Sequence, residues 1–126
     1  MNKFRYFTPA ILWALLILGL STMPGNSLPD FDWGHLLQAD KLGHLVVYGI
    51  FTSTLLWGSR QWFYPDRIPQ YMIITAVLMA ILYGILMEWL QWQFFPGRNF
   101  DVLDIIANII GSFIGLIILK TRFFSK

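Results

Sequence analysis

RNFDVLDIIANIIGSFIG, residues Arg98 to Gly115, sets Arg98, Asp101, Asp104 and Asn108 at the head of a run of Ile, Phe and Gly. From Ile105 onward the run suits lipid, and the charges before it do not. The rest of the chain decides how the two halves belong together.

Of the 126 residues, 56% are hydrophobic and 13% charged, whereas soluble globular domains run at roughly 45 to 50% and about 25%. That balance points to a membrane. The absence of cysteine removes disulfide frameworks and thiolate metal sites. A formal net charge of only +2, with no extended basic run, argues against nucleic acid as a partner. The length suits one domain, residues 1–126.

A helix needs about 20 apolar residues to cross about 30 Å of hydrocarbon. Four segments approach this: Phe7 to Met23, Leu42 to Trp57, Tyr71 to Trp92 and Val102 to Leu119. The second and fourth are short and begin with polar residues, so they span by counting a polar first turn. The first has Lys3 and Arg5 before it, as a signal peptide would, but no A-x-A-like cleavage site follows in LGLSTMPG, and a retained span is expected. The intervening segments are rich in Pro, Gly, Asn and Asp and read as connections. Several Trp and Tyr residues, Trp57, Trp62, Tyr64, Tyr71, Trp89 and Trp92, stand near segment ends, where amphipathic rings settle at headgroup level.

The expected fold is therefore all-α, a polytopic antiparallel bundle of four transmembrane helices. Lys and Arg are retained on the cytoplasmic side. Seven of them fall in the N-terminus, second loop and C-terminus, against Lys41 and Arg98 on the other face. Both termini are thus expected in the cytoplasm. The start of the second span, the end of the third and the start of the fourth then converge on the external face.

Helical spacing sharpens that convergence. At about 100° per residue, Lys41, His44, Tyr48 and Thr52 share one stripe, Glu88 and Gln91 another, and Asp101, Asp104, Asn108, Gly111 and Gly115 a third. A charged side chain at a helix centre costs about 2.5 to 3.5 kcal/mol even on the permissive insertion scale, so these faces are expected to turn toward one another or toward water. Asp101 and Asp104 also suit a plain capping role at a positive helix end. Gly111 and Gly115 have the small-xxx-small spacing that lets membrane helices approach closely.

Taken in order, LSTMPG, DKLGHLVVYG, EWLQW and RNFDVLDIIANIIGSFIG resemble the VanZ-like family of small bacterial membrane proteins over nearly the whole chain. The resemblance carries over to Lys41, His44, Tyr48, Glu88, Gln91, Arg98, Asp101, Asp104, Asn108 and Gly111. It implies a protein of the bacterial cytoplasmic membrane and an association with low-level resistance to the glycopeptide teicoplanin. It implies no particular reaction, and the cofactor and oligomeric state stay open.

Three functions compete. In the first, an outward-facing polar pocket binds or modifies a lipid-linked or cell-wall component. Lys41 and Arg98 hold anionic groups there, and His44 and Glu88 are the acid–base candidates. In the second, a metal-dependent membrane enzyme uses His44, Glu88, Asp101 and Asp104 as ligands, a set suited to an oxygen-preferring cation. In the third, the polar groups merely pair across helices to fix the bundle or serve a protein partner. The lipid bilayer is the partner common to all three.

Overall fold

The computed structural model describes residues 2–22, 33–63, 68–95, 97 and 100–124, with the side chains of 33–40 and 123–124 excepted. A short 3-10 segment, Lys3–Phe7, leads into α1 (Thr8–Ser21), followed by α2 (Trp33–Phe63), α3 (Gln70–Phe94) and α4 (Val102–Phe124). No strand occurs among the described residues. Pro9 sits in the first turn of α1, where a missing N–H costs no helical hydrogen bond. Pro69 caps the start of α3 in an extended conformation, and its carbonyl accepts from Met72 and Ile73. The chain leaves α3 through an extended Phe95, and Gly97 takes φ 79°, a left-handed conformation that favours glycine.

Among the described residues, three stretches are long and apolar enough to cross a membrane: Lys3–Ser21, Gln70–Phe94 and Val102–Arg122. α2 contains all of the expected span Leu42 to Trp57, but at 31 residues it extends well beyond it. Its length of about 46 Å exceeds the hydrocarbon core. It falls short of the other three in apolar character because it carries Lys41, His44, Ser53, Ser59 and Arg60 along its length. α4, expected to be short, runs for 23 residues.

The distribution of side chains is that of a protein dissolved in lipid. Large apolar residues such as Leu12, Leu42, Val46, Leu82, Leu103 and Ile117 face outward. The largest fully buried side chains are Leu56, Glu88, Asn108, Thr52 and Ser112, four of them polar. In hydrocarbon, an outward Leu costs nothing, while a polar group must find partners inside.

Consecutive helices run in opposite directions, yet the most extensive contact joins α2 and α4, which are parallel. Two close approaches set this crossing. A Cβ added to Gly111 would fall on the Leu45 carbonyl, and one added to Gly115 on the Gly49 carbonyl. A Cβ on Gly49 would lie 3.1 Å from the Gly111 oxygen, a tight contact that would push the helices apart by a few tenths of an ångström. Ser53 strengthens the crossing by donating its hydroxyl to the carbonyls of both Gly49, at 2.9 Å, and Gly115, at 3.2 Å.

α3 packs against both members of this pair, and α1 packs on α2 and α3. Two side-chain donors dock α1: the Trp13 indole N–H donates to the Val47 carbonyl at 2.8 Å, and the Tyr83 hydroxyl donates to the Ala14 carbonyl at 2.6 Å. At the end where the chain begins, Phe4 and Phe7 meet Trp62, and Tyr6 meets Trp57. The charged stripe lies toward the opposite end, where α2 has run for two to three turns, α3 finishes and α4 starts.

Candidate functional site

The parallel register of α2 and α4 matches their polar stripes turn for turn. Lys41 meets the start of α4: its ammonium lies 2.8 Å from Asp104 Oδ1 and 3.3 Å from Asp101 Oδ2. One turn further, His44 Nδ1 lies 2.7 Å from Asn108 Oδ1, while its Nε2 faces Asp104 Oδ2 at 3.6 Å. Asp104 therefore divides its two oxygens between Lys41 and His44. One turn deeper, the Tyr48 ring lies nearly parallel to the imidazole, with centroids 6.4 Å apart and planes 6° from coplanar.

An amide oxygen can only accept, so with Asn108 Oδ1 turned to the ring the contact calls for a proton on His44 Nδ1. Nε2 is then turned toward Asp104.

α3 supplies Glu88, 1% exposed, and Gln91, 8% exposed, on its inner face. Glu88 reaches the head of α4, where its Oε2 lies 3.5 Å from the Asp101 backbone N–H. Gly84, one turn earlier, lets α3 press on the Asn108 amide: an added Cβ would sit 2.8 Å from Asn108 Nδ2 and 3.1 Å from the Tyr48 ring.

The capping role expected for Asp101 is also present. Its Oδ1 accepts from the Leu103 N–H at 2.8 Å, while Oδ2 faces Lys41. Burial raises its carboxyl pKa, but the Leu103 N–H and the Lys41 ammonium outweigh that and hold the group below the usual carboxylate range. Both oxygens of Asp101 are thus engaged, and the acid–imidazole convergence narrows to His44, Glu88 and Asp104, which can each offer one ligand atom with all three atoms within 4.8 Å of one another.

Eight of the nine expected site residues, Lys41, His44, Tyr48, Glu88, Gln91, Asp101, Asp104 and Asn108, thus lie on the facing sides of α2, α3 and α4. Arg98 lies outside the described residues. Ser112, fully buried and donating to the Asn108 carbonyl at 2.8 Å, joins the stripe without having been singled out. It continues the spacing Asp104, Asn108, Ser112 and could have been found by following that stripe one turn further. Among the described side chains, three carboxylates (Glu88, Asp101 and Asp104) face one lysine, leaving a balance of −2 with His44 neutral.

No curated protein and no solved structure matches the chain. A family model does: VanZ/LLP1 matches residues 6–124, nearly the whole length, and the protein with this lipid-facing exterior and polar three-helix junction belongs to the VanZ/LLP1 family.

Proposed function

We propose that this membrane protein binds the polar head of a lipid-linked or cell-wall component at the outer surface of the cytoplasmic membrane. The observation that carries this reading is the burial of Glu88, Asp104 and Asn108 together, beside His44 and Lys41, at one end of the bundle. Apolar contacts would hold three helices together in lipid at less electrostatic cost, and buried ionisable groups near a membrane face mark a binding or transfer site.

In this reading Lys41 is the anion-binding group, because its ammonium reaches the junction from α2 and carries donors for phosphate or carboxylate oxygens. His44 and Glu88 are the acid–base candidates if the bound molecule is also modified, since an imidazole and a carboxylate can each give or take a proton and the two converge at this junction. The excess of Lys and Arg at the other end of the bundle favours an external location for the junction. Effects on teicoplanin susceptibility would follow from occupancy of an envelope component at this face.

The test is capture of a defined ligand. Purified protein in lipid nanodiscs, incubated with a polyprenyl-diphosphate-linked saccharide and measured by native mass spectrometry, is expected to retain it. Glu88→Gln and Lys41→Met are expected to lose it while keeping a normal elution profile. Retention unchanged in both variants would sink the reading, as would variants that fail only because they no longer accumulate in the membrane.

A further inference from the structure

We infer that His44, Glu88 and Asp104 hold a divalent first-row cation, Mn2+ or Zn2+, which bridges the anionic head of the bound molecule to the three helices. The inference deepens the binding reading and rests on it. It answers a difficulty in that reading, because a junction with a balance of −2 among its described side chains repels a phosphate that Lys41 alone must attract.

The geometry points to a cation in three ways. First, His44 bonded through Nδ1–H to Asn108 Oδ1 at 2.7 Å presents Nε2 toward Asp104 Oδ2 at 3.6 Å. Nε2, Asp104 and Glu88 thus converge on one point, which either a proton on Nε2 or a cation can occupy. Second, the three donors lie within 4.8 Å of one another. Ligand bonds of about 2.0 to 2.2 Å place two donors on one ion at most about 4.4 Å apart, a few tenths of an ångström from that bound. Third, Asn108 is 1% exposed and its Nδ2 has no hydrogen-bond partner among the described residues. An orphan donor this deep, at the inner edge of the cluster, is suited to an oxygen that a cation would bring with it.

The surrounding contacts suit the role. A metal-bound imidazole donates its other N–H to a carbonyl or carboxylate, and Asn108 is that acceptor for His44. Lys41 engages Asp104 Oδ1 and leaves Oδ2 for the ion. One imidazole with two carboxylates suits Mn2+ or Zn2+ better than Ca2+ or Mg2+, which avoid nitrogen.

The opposing arrangement is a rotated Asn108 amide, in which Nδ2 donates to His44 and Nε2–H donates to Asp104. That arrangement needs no ion, so the experiment must tell the two apart. Tag-free protein in nanodiscs, stripped with EDTA and titrated with Mn2+, is followed by loss of the free-ion electron paramagnetic resonance signal and by melting temperature.

One Mn2+ bound per chain, displaced by Zn2+ and accompanied by a rise in melting temperature, is the expected result. Glu88→Gln and Asp104→Asn are expected to abolish binding, and Asn108→Leu to weaken it by about ten- to a hundredfold. Wild type that binds no Mn2+ overturns the inference without reference to any variant, and so does equal binding by wild type and Glu88→Gln. The saccharide-diphosphate capture described above separates the two ideas. Capture that persists in EDTA overturns the cation and leaves the binding function standing, whereas stoichiometric Mn2+ without capture supports the cation and removes the proposed ligand.

Discussion

Lys41 ties two carboxylates on α4 to α2, and its loss would be felt by both. Its side chain is 27% exposed, as against 12% for Asp104, so water only partly replaces it. Lys41→Met is expected to lower stability by about 1 to 3 kcal/mol, the cost of leaving a buried acceptor without its donor. Lys41→Arg should restore most of it. Thermal unfolding in nanodiscs reads both, and a methionine variant as stable as the parent would mean that Asp104 is already satisfied elsewhere. Trp13 offers a plainer residue-scale test, since its indole hydrogen bond to Val47 is the kind of interhelical contact that contributes about 0.6 kcal/mol in membrane bundles. Trp13→Phe should loosen α1 by about that amount without disturbing the polar junction at all.

The pairing of α2 with α4 rests on backbone proximity, and glycine chemistry tests it at the scale of the element. Gly111→Ala and Gly115→Ala each place a methyl group against a carbonyl of α2, so both should destabilise by about 1 to 3 kcal/mol through forced separation of the helices. Gly43→Ala is the internal control: nothing lies within 4 Å of an added Cβ there. It should be neutral or gain up to about 1 kcal/mol from alanine's better helix propensity. Equal melting temperatures for all three would show that the crossing is looser than the glycine contacts imply. The stripes themselves were legible in the sequence, because helical periodicity is local and Asp101, Asp104 and Asn108 keep their spacing whatever they pack against. The partner of that stripe was less legible. Gly49 drew no notice, since its meaning arises only opposite Gly111 and Gly115, which are more than sixty positions away. The extent of α2 was also hidden, because His35, Gln38, Asp40 and Lys41 interrupt the apolar pattern before Leu42 while the chain remains helical.

At the scale of the whole molecule, the charged junction and the aromatic cluster around Trp62 occupy opposite ends of the bundle, and the direction of insertion decides which compartment each meets. The apolar exterior fixes that the chain lies in lipid, but it is the same from either side. Charge supplies the asymmetry. Lys3, Arg5, Arg60, Lys120 and Arg122 accompany the end with the aromatic cluster, and basic residues near span ends resist translocation. The junction should therefore face outward. In a chain without cysteine, Asn99→Cys, in the sequence between α3 and α4, should react with a membrane-impermeant maleimide added to intact cells, and Gln61→Cys near the end of α2 should react only after permeabilisation. The reverse labelling would turn the junction toward the cytoplasm. Lys41, His44 and Glu88 would then meet cytoplasmic molecules, and an outer-surface envelope ligand would lose its access route while the fold and the pairing of α2 with α4 stood unchanged.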